Sequence, residues 1–246
     1  MNRVLLIPAA GRGSRLGASM PKVLFPVNGR PMIDYLLDLY APVVDGFVLV
    51  VHPSAEAMVR AHCRARSTAV EYDVQTEPTG MLDAILIPGE RVRRLGATSI
   101  WITWCDQIAV HPETITTLAA HSSHHPECAL VFPTVARRAP YIHLVRDARG
   151  EIVGIRQRRE GDAMPEVGES DVGLFCLSAA AYHDLLPQFA RIGEAGSVTS
   201  ERNFLPFIPW LGGRAEVRTF PARDEIESLG VNTPEDVQRL EAYGGR

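Results

Sequence analysis

The order of apolar and amphipathic stretches in this 246-residue chain predicts an α/β fold of three layers: a doubly wound, mostly parallel sheet with helices on both faces. Two observations carry the expectation. Short, almost unbroken apolar runs alternate with helix-length patterns down to about residue 135, and such runs describe strands buried on both faces. The composition, 46% hydrophobic and 22% charged, is that of a folded domain long enough to bury a substantial core.

The elements follow in order. VLLI at 4–7 reads as the first strand. A helix spans 31–43, with Pro31 at its start, where a missing N–H costs nothing. Residues 46–51 are the second strand, 55–66 a helix and 70–75 the third strand. A helix over 80–87 leads to the fourth strand at 99–104. The next helix covers 111–121, with Pro112 near its start and Glu113 in its first turn, and 128–133 is the fifth strand. In such a sheet, ligands bind beyond the carboxyl ends of the strands.

Past residue 135 the pattern changes. Segments 141–146 and 151–156 flank a turn from Asp147 to Gly150 and read as a β-hairpin. A strand at 171–177 and a helix at 179–189 follow, then strands at 215–220 and 226–230. The last helix spans 233–242, with Thr233 as N-cap and proline at N1. No repeat, low-complexity tract or linker interrupts the chain. Residues 1–246 are therefore expected to form one Rossmann-like unit with an inserted hairpin and mixed subregion. Residues 1–135 make the regular half and 136–246 the irregular one.

Net charge is −4 with no basic block, so neither nucleic acid nor an anionic membrane is an expected partner. No apolar run reaches the length of a membrane span, and the residues after Met1 read as a strand rather than a secretory leader. A cytoplasmic location is the expectation. Cys63, Cys105, Cys128 and Cys176 are widely spaced and read as buried thiols. His121, His124, His125 and Cys128 crowd into HSSHHPEC, which reads as a solvated turn after a helix, with a metal site as the alternative.

Lys22 is the only lysine; every other basic residue counted with it is arginine. A retained lysine in such a chain points to a tight site for a compact point charge, a chance solvated lysine being the alternative. Directly after the first strand comes AAGRGSRLG at 9–17, whose small residues let successive N–H groups approach an anion. Arg12, Arg15 and Lys22 add three cations nearby, a match for a triphosphate. A plain glycine turn would show the same glycines. The dinucleotide fingerprint fails on spacing, because Leu16 stands where its third glycine belongs, and the Walker loop fails for want of G-K-[ST].

The whole segment is similar to the nucleotidyltransferase signature of the sugar-1-phosphate pyrophosphorylases. Their A-A-G-x-G-[ST]-R-[LM], P-K-x-L and G-[RK]-P-[ML] elements stand here as AAGRGSRL, MPKVLFPV and GRPM. The resemblance implies that Ala9, Ala10, Gly11, Arg12, Gly13 and Ser14 cradle a nucleoside triphosphate. Lys22 would stabilise charge on the α-phosphoryl oxygens and Arg15 the leaving pyrophosphate. QTEPTG at 75–80 resembles the segment by which uridylyl- and thymidylyltransferases of the family read a pyrimidine, which places Gln75, Gly80 and Met81 at the base. Asp106, after the apolar fourth strand, matches the family's magnesium-binding aspartate, although a strand-end aspartate is as often a cap. Asn232, in GVN before the last helix, would be the second ligand to Mg2+, although asparagine is common beside an N-cap.

For the acceptor the resemblance implies Tyr141, His143, Gln157, Glu169 and Asp171. Three departures stand out. Gln157 and Asp171 occupy positions where the N-acetylglucosamine-1-phosphate uridylyltransferases have Glu and Asn, and Met81-Leu82 stands where they have Thr-Gly. Arg156, Arg158 and Arg159 read as a solvated strand end, with acceptor-phosphate contacts as the alternative. The 246 residues carry no hexapeptide repeat, so the acetyltransferase activity of the best-known bacterial members is not expected of them.

The expected activity joins an NTP (UTP, dTTP or CTP) to a sugar 1-phosphate, giving an NDP-sugar and pyrophosphate with Mg2+ as cofactor. A cytidylyltransferase for a non-sugar phosphate or phosphonate is the nearest alternative. A non-catalytic nucleotide-sensing protein is an alternative of another class, and a dinucleotide-dependent oxidoreductase is disfavoured by the glycine spacing. A homo-oligomer stays open.

Overall fold

The computed structural model describes residues 1–11, 16 and 20–244. β1 (Arg3–Ala9) carries Val4, Leu5, Leu6 and Ile7, all buried. β2 (Pro26–Val27) and β3 (Arg30–Pro31) form a small hairpin whose turn, Asn28-Gly29, has φ of 50° and 71° at its two residues. Asn-Gly is the pair that adopts this left-handed turn at least cost. There follow α1 (Met32–Tyr40), β4 (Gly46–Val51), α2 (Pro53–Ala65), β5 (Glu71–Val74), α3 (Met81–Leu86), α4 (Gly89–Arg94), β6 (Ser99–Thr103) and α5 (Pro112–His124). The second half contains β7 (Leu130–Arg138), β8 (Ile142–Arg146), β9 (Ile152–Gln157), β10 (Val167–Asp171) and β11 (Leu174–Ser178). α6 (Leu186–Ile192), α7 (Phe207–Gly212), β12 (Val217–Pro221) and α8 (Pro234–Gly244) complete the chain.

The main sheet runs β10-β7-β11-β6-β1-β4-β5, with β12 also paired to β7. β6, β1, β4 and β5 are mutually parallel, and β12 is parallel to β7. β11 runs antiparallel between β6 and β7, and β10 is antiparallel to β7. The three-layer, mostly parallel architecture is therefore present. Period-2 alternation divides each central strand between two cores. Val4, Leu6, Val48, Val50, Ile100 and Ile102 face one core with residues of α3, α4, α6 and α7. Leu5, Ile7, Leu49, Val51 and Trp101 face the other with residues of α1, α2 and α5.

The chain passes from β1 to β4 and β5 on one side, then returns to β6 on the other. In a doubly wound sheet such a reversal places the ligand crevice beyond the carboxyl ends of β1 and β6. A third, smaller core closes its rim by joining Leu16, Val27 and Met32 to Ile226, Leu229, Val231 and Leu240.

Several expectations are corrected. Residues 226–230 are not a strand: Glu225–Ser228 is a 3-10 turn, because Asp224 caps it and Glu227 returns the bond in a reciprocal box. The strand expected at 171–177 is two strands, broken at Val172 and Gly173. The helix expected at 111–121 continues through His124, so HSSHHPEC is partly helical. α4 and α7 were not expected, since each is only six residues long and its pattern is set by the core it covers. The hairpin of β8 and β9 is a separate two-stranded sheet.

Candidate active site

Three side chains from distant parts of the chain meet at the crevice. The Lys22 ammonium donates to Asp106 Oδ2, and to Asn232 Oδ1 at 2.8 Å. The Lys22 and Asp106 side chains are 11% and 13% exposed, so this pair is largely out of water yet still reachable. Each residue has a local reason for its place. Lys22 opens a 3-10 turn after Pro21, anchored by the buried Val23 and Leu24, with Leu24 N–H donating to the Pro21 carbonyl at 2.9 Å. Asp106 follows β6, and its carbonyl accepts from Val231 N–H at 3.1 Å. Asn232 is held by Asp236, which accepts from the N–H of Asn232 and of Thr233 at 3.0 and 2.9 Å. Thr233 Oγ1 in turn accepts from Asp236 N–H at 3.3 Å, so the expected N-cap is present. Gly230 lets the two strips of chain touch: a Cβ there would stand 3.2 Å from Asp106 Oδ1.

A carboxylate and a carboxamide oxygen aimed at one cationic group form a donor set suited to a hard, oxygen-seeking cation such as Mg2+. The residues present thus fit the magnesium expected from the sequence. Among the described residues, the one group of three clustered His, Cys, Asp or Glu ligands is elsewhere: Glu127, Cys128 and Glu216. Arg218 occupies Glu216 there, at 2.6 Å, and His121 stacks on Phe220 instead of joining the cluster. All four cysteines are free and buried, as expected.

Of the nucleotide-binding candidates, Ala9 ends β1, and Ala10 and Gly11 follow it at the crevice. Arg12, Gly13, Ser14 and Arg15 lie outside the described residues. Gln75 is buried and its amide donates to the Gly80 carbonyl at 3.1 Å, so the two base-reading candidates are coupled. Gly80 caps α3 at φ +124°, and a Cβ there would run into the backbone of Arg202. Arg202 N–H donates to the Thr79 carbonyl at 2.8 Å, and its own carbonyl accepts from Leu82 N–H at 3.0 Å. Met81 begins α3 beside them.

The model of the MobA-like NTP transferase domain matches residues 5–170, more than half of the chain. The chain belongs to that family. Among curated proteins it is similar to the bifunctional protein GlmU of Nitratidesulfovibrio vulgaris strain DP4, 27% identical over 244 residues. That alignment covers 96% of this chain and 51% of the relative. GlmU of Pelotomaculum thermopropionicum is also 27% identical, over 99% of this chain and 52% of its own length. The chain spans about half the length of the curated relatives it matches. An NTP transferase domain related to the first half of such proteins is a nucleotidyltransferase domain. Asn232 lies beyond the stretch that the family model matches, and tertiary packing alone brings it to Lys22.

In this NTP transferase domain the acceptor candidates are more dispersed. Tyr141 is exposed at the foot of β8, and His143 Nδ1 contacts the Glu169 carbonyl at 3.2 Å. The Glu169 carboxylate is gripped by Arg146 through two contacts of 2.6 Å, and this pairing holds its pKa below the ordinary range against the opposing effect of burial. Gln157 is buried, accepts from the Asn203 amide and lines a groove of about 460 Å³ with Phe189, Asn203 and Trp210. Asp171 Oδ1 accepts from Gly173 N–H at 2.7 Å, while its Oδ2 is buried with no hydrogen-bond partner among the described residues. Burial pushes its pKa up to about 6. Gln107 packs against Gly173, donates to the Val172 carbonyl at 2.8 Å, and its buried Oε1 likewise has no hydrogen-bond partner among the described residues. Sequence reasoning missed Arg202, Asn203 and Gln107. Their contacts span long sequence separations, and no local pattern marks them.

Proposed function

We propose that the protein transfers a nucleotidyl group from a pyrimidine nucleoside triphosphate to a sugar 1-phosphate and releases pyrophosphate. The observation that carries this reading is the convergence of the Lys22 ammonium on Asp106 and Asn232 beyond the carboxyl end of β6. Membership of the NTP transferase family and the likeness to GlmU proteins support the nucleotidyl transfer itself. An acceptor phosphate oxygen attacks the α-phosphorus, and the bond from that phosphorus to the pyrophosphate oxygen breaks, with its electron pair leaving on pyrophosphate. No side chain needs to form a bond, so positioning and charge neutralisation account for the rate. Asp106 and Asn232 would hold Mg2+, which when bound neutralises the two phosphate groups brought together. Lys22 offers a compact ammonium to the α-phosphoryl oxygens, and the Ala10–Gly11 backbone begins the cradle for the triphosphate. Gln75, Gly80 and Met81 bound the base, while Gln157 and Asp171 wall the acceptor side.

The test is pyrophosphate release from each of UTP, dTTP, CTP, ATP and GTP against a panel of sugar 1-phosphates and non-sugar phosphates, with Mg2+ present. Turnover with a pyrimidine NTP and a sugar 1-phosphate is the expected result. NTP binding with no pyrophosphate release across the panel would overturn it in favour of a nucleotide sensor.

A further inference from the structure

The 460 Å³ groove that Gln157 helps to line has a fixed hydrogen-bond polarity. Gln157 ends β9 and is 6% exposed. Its backbone is clamped: its N–H donates to Asp162 Oδ2 at 2.7 Å, and its carbonyl accepts from Asp162 N–H at 3.3 Å. A relay from the main chain then decides which way the side-chain amide faces. Leu205 N–H donates to Asn203 Oδ1 at 3.1 Å, so that atom is the oxygen and the Asn203 nitrogen is left to donate to Gln157 Oε1. The Gln157 nitrogen is what remains. It donates to no group among the described residues, although the side chain that carries it is buried against the groove. Such a donor calls for an oxygen from whatever fills the space.

The rest of the lining narrows the occupant. Phe189, Ile192, Pro206 and Trp210 supply an apolar wall. Glu160 is already occupied: it accepts from Thr199 Oγ1 at 2.6 Å and from the N–H groups of Val198 and Thr199 at 3.1 and 3.3 Å. A Cβ on Gly196 would collide with that carboxylate, so the lip of the groove is built tightly onto it. Among the described residues, no Lys, Arg or His lines the space, so a phosphate gains nothing there. An ammonium would set its own donors against those of Gln157. An uncharged ring with CH surface and oxygen lone pairs, as a sugar has, meets both the wall and the amide. The groove is also close to the reaction centre. Phe204, next to Asn203, packs edge-on against Trp104 at 6.1 Å, two residues before Asp106. Arg202, on its other side, is bonded through its backbone to Thr79 and Leu82, which flank Gly80.

We propose that this groove holds the uncharged sugar ring of the acceptor, with Gln157 Nε2, oriented by Asn203, donating to one of its oxygens and rejecting an amine at that position. The assignment to the acceptor rests on the proposed reaction; binding of the ring does not.

Saturation-transfer NMR on the full chain, with the methyl α-glycosides of glucose, galactose and mannose as probes, tests the groove without turnover. At least one glycoside should bind saturably. Of its 2-, 3-, 4- and 6-amino analogues, protonated at mildly acidic pH, one should bind at least ~10-fold more weakly, because a buried donor then faces another donor. Two variants should reverse that preference. Gln157→Glu keeps the oxygen that Asn203 bonds and replaces only the free nitrogen. Asn203→Asp removes the donor to Gln157 Oε1, so the Gln157 amide turns to bond the new carboxylate and presents its oxygen to the groove. Ser197→Asp, in the exposed turn beside the groove, adds the same charge and should leave the preference within about twofold of wild type. Thermal melts confirm that each variant is folded. No glycoside binding in wild type, equal tolerance of every amino analogue, or the same shift from Ser197→Asp as from Gln157→Glu would overturn the groove even where the enzyme turns over. Glycoside binding in a protein that releases no pyrophosphate would keep the groove and remove the reaction. With a substrate pair in hand, Gln157→Glu should raise the acceptor KM at constant NTP KM; an unchanged acceptor KM would overturn the assignment to the acceptor.

Discussion

Lys22 holds the same two oxygens that a divalent cation would need, so removal of its charge should act in opposite directions on metal binding and on turnover. In Lys22→Met the stem is kept and the ammonium lost. Asp106 and Asn232 are then released from a competitor that, in the free protein, makes two contacts to them from a site only about a tenth exposed. A hydrogen bond to a charged group is worth about 1.5–3 kcal/mol. With one such contact as the net competition, Mg2+ or Mn2+ should bind the variant roughly 10- to 100-fold more tightly. The expected loss in kcat is at least ~10²-fold, the usual effect of deleting one donor aimed at developing charge. Mn2+ titration followed by electron paramagnetic resonance, without nucleotide, reads the first quantity; pyrophosphate release reads the second. Metal affinity unchanged or weakened in a folded Lys22→Met protein would refute the shared-cation reasoning, and near-normal turnover would remove Lys22 from the mechanism.

Three further outcomes are expected. Asp106→Asn should raise the magnesium concentration needed for half-maximal turnover sharply, and an unchanged requirement would rule out the carboxylate as ligand. Gly80→Ala places a Cβ against the Arg202 backbone at φ +124° and should cost at least ~2 kcal/mol in urea unfolding, with weaker NTP binding; a smaller loss would show that the loop yields. Asp171 is raised from 3.8 to about 6 by burial, so the folded state holds its proton more tightly than the unfolded one. This contribution is present in full below pH 4 and lost as pH rises through about 6, of the order of 3 kcal/mol in all. Asp171→Asn should therefore gain relative to wild type as pH rises from 4 to 8, read as urea midpoints; a difference that does not change with pH would contradict the buried-acid account.

The regular half was legible in its sequence because parallel strands buried on both faces must be apolar throughout, and 46–51 was read to the residue. The irregular half was harder. At 226–230 a reciprocal cap between Asp224 and Glu227 outweighed apolar residues that suggested a strand, and the short α4 and α7 take their shape from the core beneath them. Among the site residues, Lys22 and Asp106 could be singled out by type and local setting. Gln157 and Glu169 could be named, but not the partners that occupy them, Asn203 and Arg146.

What the sequence by itself determined is the alternation that builds the sheet and the chemical identity of the groups at its ends: one ammonium, one strand-end carboxylate, one carboxamide before a helix. Only the tertiary structure decided that these three meet, because Asn232 is separated from Lys22 by 210 positions and reaches it through a small core around Val231 and Leu240. Local pattern encodes backbone conformation through neighbouring residues, whereas charge pairing depends on distances across the fold, which no short stretch of chain contains.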